Sequence, residues 1–366
     1  MEQPETDEVL IRREGRAGRI TMNRPKALNA LTYTMVERIW TALLKWRDDP
    51  AVEFVLLEGA GERGLCAGGD VRSLYDNRAH GSGFARRFWS EEYRLNALIG
   101  RYPKPYVAVM DGIVMGGGIG LSAHGNHRIV TERSRLAMPE TGIGLIPDVG
   151  GTWLLSHIPE RPGMSKESGT YLALTGQQFN GTEALDLGFG NVLIISQSIP
   201  DVLSEMIEDG HPDSVMIRNT SAVDEAPKSS LYELAASIDA AFGHDRIEDV
   251  FAVLESMTSE WAATTLATLR TKSPLALKLT LAALRRAREL DSLEECLNME
   301  YRLAVRLYEH GEFLEGVRAL IVEKDKSPRW HPSTLEEVKD AMLDDFFKPL
   351  PADEDLGLKA NTPSPR

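Results

Sequence analysis

Short apolar runs alternate with amphipathic stretches through the first half of the chain. Val9-Leu10-Ile11 and Arg19-Ile20-Thr21-Met22 predict two strands around a turn at Gly15 to Gly18. From Leu31 to Asp48 the apolar positions recur every three to four residues. Leu31, Met35, Ile39, Ala42 and Leu43 share one face, and Thr32 stands where an N-cap belongs. Phe54 to Leu57 predicts a buried strand, and Phe84 to Ile99 a helix that Pro103 and Pro105 bring to a stop. Tyr106 to Met110 and His127 to Thr131 predict two further strands. Strand–helix alternation of this kind implies an α/β class.

Beyond about residue 200 the helical period takes over, near 201–209, 229–241, 246–258, 259–271, 275–290, 292–309 and 312–323. The stretch 210–228, with Pro212, Pro227 and several Ser and Asp, predicts a loop or insertion. Residues 351–366, rich in Pro, Asp and Lys, predict a disordered tail.

Composition narrows the partners. The 366 residues are 42% hydrophobic, enough for a large core and for more than one domain or subdomain. A formal net charge of -14 argues against a general nucleic-acid surface, which draws on an excess of Lys and Arg. No apolar run approaches the ~20 residues that span a bilayer, so no membrane partner is expected. The opening residues MEQPETDEVL lack the features of a signal or transit peptide, and a cytoplasmic location is expected. Cys66 and Cys296 make no disulfide framework and no zinc pattern. Neither a metal nor a separate cofactor is expected.

Three glycine clusters carry the candidate chemistry: Gly68-Gly69, Gly116-Gly117-Gly118 with Gly120, and Gly150-Gly151. They match neither a Walker loop nor G-x-G-x-x-G, since Leu121 follows Gly118-Ile119-Gly120. Gly120-Leu121-Ser122-Ala123-His124 also lacks the last glycine of a nucleophile elbow. Two of the clusters follow predicted strands, and the second opens a short predicted helix, Gly118 to His124. Backbone N–H groups freed at such turns favour developing negative charge, and two such turns side by side make an oxyanion pocket.

In order and spacing these pieces resemble the crotonase (enoyl-CoA hydratase/isomerase) superfamily over about residues 9 to 350. The resemblance rests on Met22 to Ala30, Cys66-Ala67-Gly68-Gly69-Asp70, Gly112 to Gly118, Pro139-Glu140, Pro147 to Gly151, Leu174-Thr175-Gly176 and Glu315 to Ala319. Within it the chain is most similar to the 3-hydroxyisobutyryl-CoA hydrolases, through Ser90-Glu91-Glu92-Tyr93, Ala137 to Thr141, Ile146 to Gly151, Met299 to Leu303 and Asp325 to Trp330. The resemblance implies a spiral of ββα units over 1–258, with an insertion near 210–250, and a helical C-terminal region over 259–350. It implies hydrolysis of a short-chain hydroxyacyl-CoA thioester, an acyl-CoA partner and a homo-oligomer.

Residue by residue, the resemblance makes the N–H groups of Gly69 and Gly117 the oxyanion donors. Glu140 becomes the carboxylate that activates water or attacks the thioester, and Asp148 the group that anchors the 3-hydroxyl or assists proton transfer. Glu92 lines the acyl pocket, and Lys26, Ala27, Leu28 and Lys324 contact CoA, with Arg72 a weaker candidate. Enoyl-CoA hydratases carry a second glutamate where this chain has Gly120. That disfavours hydration, which together with a catalytically silent CoA-binding protein is the alternative. His124, His127 and Cys66 match no functional position and are expected to pack or to face solvent.

Overall fold

The computed structural model describes residues 7–220 and 229–360. The chain folds as two compact units interleaved along the sequence. One comprises the described parts of Met1–Asp70, Leu95–Leu136 and Phe179–Ser229, and the other those of Val71–Arg94, Ala137–Gln178 and Ser230–Arg366.

The first unit is built on a six-stranded sheet. Its strands are β1 (Val9–Glu14), β2 (Ala17–Met22), β3 (Phe54–Gly59), β5 (Tyr106–Met110), β7 (His127–Val130) and β10 (Val192–Leu193), adjacent in that order. β1 pairs antiparallel with β2; all later neighbours are parallel. Parallel strands need a crossover, and the helix Tyr33–Arg47 lies between β2 and β3 in the chain. Its start is fixed as the sequence predicts: the Thr32 hydroxyl accepts the Met35 N–H at 3.2 Å. Every residue of β5 is buried, as expected of a central parallel strand.

A second sheet joins β4 (Gly64–Cys66), β6 (Ile113–Met115), β8 (Arg135–Ala137) and β9 (Phe179–Asn180) in that order. Strands of two or three residues show no period, so the sequence pattern passes over them. The helix Ile199–Asp209 covers one face of the large sheet. Ile199, Val202, Leu203 and Met206 join Phe54, Leu56, Val107, Val109 and Ile129 in one cluster. Where the sequence predicts a loop from 210, the chain forms a helix, Pro212–Arg218. Proline at its start supplies a preset φ, and Val215 and Met216 pack into the same cluster. Residues 221–228 of the predicted loop lie outside the described residues, and within the stretch 210–250 the chain also forms the helix Ala235–Phe242.

The second unit is mainly helical. Pro274–Ala287 is buried along ten residues and is capped by Ser273, whose hydroxyl accepts the Ala276 N–H at 3.0 Å. Leu293–His310 is capped by Ser292 and ends at Gly311 in a left-handed turn. The following helix, Glu312–Val317, runs into a π-turn, Arg318–Val322.

The expected disordered tail is corrected over its described part. Asp355 pairs with Arg302 at 2.7 Å, and Leu356 is buried. The Asn298 amide exchanges two hydrogen bonds with the Leu358 backbone, at 2.8 and 2.9 Å. A polar composition does not prevent docking when helix side chains supply partners for the backbone. Residues 361–366 lie outside the described residues. Among the described residues no helix is long and apolar enough to cross a membrane.

Candidate active site

The residues singled out from sequence fall into two groups, one in each unit. In the first, two glycine turns lie side by side. Leu31 N–H donates to Gly68 O at 2.9 Å and Asp70 N–H to Leu31 O at 2.8 Å. In such a bridge the Gly69 amide points away from Leu31. A side chain at Gly68, which has φ +110, would begin 3.9 Å from the Gly117 nitrogen. Gly117 opens the helix Gly117–Ser122, where the first amides have no intrahelical acceptor. Gly118 cannot be larger, because its Cβ would meet the Cys66 carbonyl oxygen at 2.4 Å. Gly69 and Gly117 therefore occupy adjoining turns with amides suited to an oxyanion.

The segment expected to contact CoA is stitched to the first of these turns. Ala67 N–H donates to Leu28 O at 3.0 Å, and Leu28 and Asn29 both hold a left-handed φ. Arg24 stays inside this loop, paired with Glu8 at 3.2 Å and Asp70 at 3.1 Å. Lys26 and Ala27 are exposed, and Leu28 is half-buried. Lys324, in the other unit, is exposed just after the π-turn, and Arg72 is an exposed partner of Asp76. His127 bonds Asp213 at 2.8 Å near the surface, and Cys66 is buried, its thiol donating to Gly68 O at 3.5 Å.

In the second unit Glu92, Glu140 and Asp148 are all buried, at 2%, 5% and 5% exposure. Glu92 lies on the helix Gly83–Gly100, which Trp89 docks through edge contacts with Tyr308 and Phe313. Glu140 starts the 3-10 turn Glu140–Ile143. That turn is anchored by the Leu145 N–H on the Glu140 carbonyl and by the Thr141 hydroxyl on Leu174 O, at 3.0 and 3.1 Å. Asp148 opens a tight turn in which its carbonyl accepts the Gly151 N–H at 2.6 Å.

Burial is the main force on each carboxyl. It holds Glu92 and Glu140 well above the usual carboxylate range, and Asp148 adds to both. Asp148 rises to about 6 through burial, held back by the Tyr93 hydroxyl, which donates to its Oδ2 at 2.6 Å. Burial and the nearby Asp148 thus favour the neutral acid at Glu92 and Glu140, while the Tyr93 bond favours the ionised form of Asp148. Among the described residues the buried Glu92 Oε1 and Glu140 Oε2 atoms have no hydrogen-bond partner. Environments that separate neighbouring carboxyls in this way divide acid and base roles.

Three contributors carried no assigned role in the sequence reading. Tyr93, the residue after Glu92, turns to Asp148. Glu300 is fully buried; its Oε2 accepts Gly150 N–H at 2.7 Å, and its Oε1 accepts the Thr152 N–H and hydroxyl at 2.9 and 2.5 Å. Burial pushes Glu300 up to about 8, against those donors. Lys272 is half-buried, and its ammonium lies 3.3 Å from where a side chain at Gly142 would begin. Burial lowers its pKa and Glu140 pulls it back up. Tyr93 and Glu300 fall within the stretches 90–93 and 299–303 quoted above, and that placement is the signal that marks them. Lys272 has no such signal. Among the described residues no group of three or more His, Cys, Asp or Glu side chains is arranged to hold a metal ion.

A family model for enoyl-CoA hydratase/isomerase matches residues 17–347. The chain is 40% identical to the mitochondrial 3-hydroxyisobutyryl-CoA hydrolase of Gallus gallus, over 96% of this chain and 91% of that protein. It is 37% identical to the protein of the same name from Homo sapiens, over 94% and 89%. Among solved structures, a carnitinyl-CoA dehydratase from Mycobacterium thermoresistibile superposes with a TM-score of 0.90 at 43% identity, covering 97% of this chain and 100% of that one. An enoyl-CoA hydratase from Rhodobacter sphaeroides 2.4.1 superposes with a TM-score of 0.89 at 39% identity, covering 96% and 100%. The α/β fold, the two glycine turns and these matches agree: the chain belongs to the enoyl-CoA hydratase/isomerase family, which has the crotonase fold.

Proposed function

We propose that this protein hydrolyses a short-chain hydroxyacyl-CoA thioester, 3-hydroxyisobutyryl-CoA, to the free hydroxy acid and CoA, as a step of valine breakdown. The observation that carries the reading is the buried trio Glu92, Glu140 and Asp148, with the Asp148 carboxyl held by the Tyr93 hydroxyl at 2.6 Å. Each carboxylate oxygen has two lone pairs, so the Tyr93 bond leaves Asp148 capacity to accept a substrate hydroxyl. Relatives named 3-hydroxyisobutyryl-CoA hydrolase support the same substrate.

In the reaction a water oxygen bonds to the thioester carbon, the C–S bond breaks, and the thiolate takes a proton. Gly69 and Gly117 are proposed as donors to the carbonyl oxygen as it gains charge, an effect worth about 3 kcal/mol per donor. Glu140 is proposed at the carbonyl, as base for the water or as nucleophile, and Glu92 in the acyl pocket. Lys26, Ala27, Leu28 and Lys324 are proposed for CoA, which is substrate rather than cofactor. A homo-oligomer and a cytoplasmic location complete the proposal; the relatives compared are named mitochondrial.

Hydration or dehydration of an enoyl-CoA is the second reading, favoured by the names of the two superposed structures. Gly120 stands against it, because it offers no second carboxyl to hold the water. One assay separates the readings: thiol release from a panel of acyl-CoAs, followed beside loss of enoyl absorbance. Thiol release with 3-hydroxyisobutyryl-CoA foremost supports the hydrolase. Loss of enoyl absorbance alone overturns it in favour of a hydratase, and neither signal leaves a silent CoA-binding protein.

A further inference from the structure

We propose that Glu300 is a positioning residue for Asp148: its buried carboxyl clamps a strained turn and so fixes the direction in which Asp148 is presented. The inference rests on the hydrolase reading for its kinetic test and on geometry alone for its structural one.

The turn Asp148–Gly151 has positive φ at both central residues, +52 at Val149 and +82 at Gly150. Glycine and asparagine suit these positions, and a β-branched residue does not. Val149 is nonetheless buried there with no exposed surface. A conformation of this kind persists only when its surroundings over-determine it. Glu300 supplies that constraint: it holds Gly150 by its N–H, and Thr152 by both N–H and hydroxyl. These bonds fix the chain immediately after Asp148, while Tyr93 fixes the Asp148 side chain itself. Glu300 is fully buried, and among the described residues its three donors come from this one segment, so its carboxyl serves the turn.

Replacing Glu300 by glutamine turns an N–H group toward a backbone N–H and breaks one side of the clamp. If Glu300 acts through Asp148, Glu300→Gln lowers kcat/KM for 3-hydroxyisobutyryl-CoA about tenfold more than for isobutyryl-CoA, the loss expected when a charge-assisted hydrogen bond is misaligned. Val149→Gly removes the strain that the clamp opposes. The double variant Glu300→Gln/Val149→Gly should recover most of the lost ratio between the two substrates. Equal losses on both substrates, or a double variant no better than Glu300→Gln, overturn the proposal.

If Glu300→Gln does not fold, Thr152→Val drops one of the three bonds; it should shift the same ratio by about threefold, and an unchanged ratio overturns the clamp. If the wild type releases no thiol, the hydrolase reading fails alone. Hydrogen–deuterium exchange at the Gly150 and Thr152 amides then decides: at least tenfold faster exchange in Glu300→Gln supports the clamp, and unchanged exchange refutes it.

Discussion

Replacing Asp148 by asparagine should make the protein relatively more stable as pH rises, by an amount the structure sets. Asp148 is buried, and burial lifts its pKa from an ordinary 3.8 to about 6. The folded state therefore binds this proton more tightly than the unfolded state does. The stability it contributes is fully present below pH 3.8 and is lost as pH rises through about 6. A rise of about two pH units corresponds to ~3 kcal/mol in full, of which ~2 kcal/mol develops between about pH 4.5 and 7.5. Asparagine carries no titrating proton, and its amide oxygen still accepts from Tyr93. Any fixed cost of the substitution is common to both pH values and cancels. Urea unfolding of wild type and Asp148→Asn at the two pH values measures the difference. The expected result is a gain of ~2 kcal/mol for the variant, relative to wild type, on going to the higher pH. An equal difference at both pH values, or a relative loss at the higher one, would refute the reasoning. It would mean that the Tyr93 hydrogen bond outweighs burial and that Asp148 is as easily ionised folded as unfolded.

Further substitutions probe the neighbours of Asp148. Tyr93→Phe removes the donor that lowers the Asp148 pKa, so it should destabilise by ~1.5–3 kcal/mol more near neutral pH than near pH 4.5; unfolding curves at both values check this. Glu140→Gln should cut thiol release by at least about 100-fold, with a melting temperature near pH 8 no lower than that of wild type, because it replaces a buried carboxyl whose Oε2 has no partner among the described residues; ordinary turnover would remove Glu140 from the mechanism. Asp148→Gly should collapse the preference for 3-hydroxyisobutyryl-CoA over isobutyryl-CoA by about 10- to 150-fold, and equal losses on both would place Asp148 at the thioester instead. Gly118→Ala should cost at least about 1–3 kcal/mol, since its Cβ has no room against Cys66; an unchanged melting temperature would contradict the close approach of these turns.

The sequence by itself determined the elements that repeat locally. The helix from Tyr33, its Thr32 cap, the buried strands Phe54–Gly59 and Tyr106–Met110 and the C-terminal helices follow from periods of three to four and of two, which each segment carries alone. The glycine turns were legible because a turn needs glycine at a fixed place, whatever packs around it. Glu140 and Asp148 were legible as members of ordered motifs, though not as a pair separated in pKa. Tertiary structure decided what depends on distant partners. Asp148 meets Tyr93 across 55 positions, and Gly150 meets Glu300 across 150. Neither pairing leaves a local period, because each is set by which helix docks where. The same holds for the small sheet, whose strands are too short to show alternation, and for the tail, which docks through bonds to Asn298 and Arg302. A carboxyl's identity is written in the sequence. Its charge at neutral pH is not, because burial and neighbouring donors set it, and both arise only when the chain has folded.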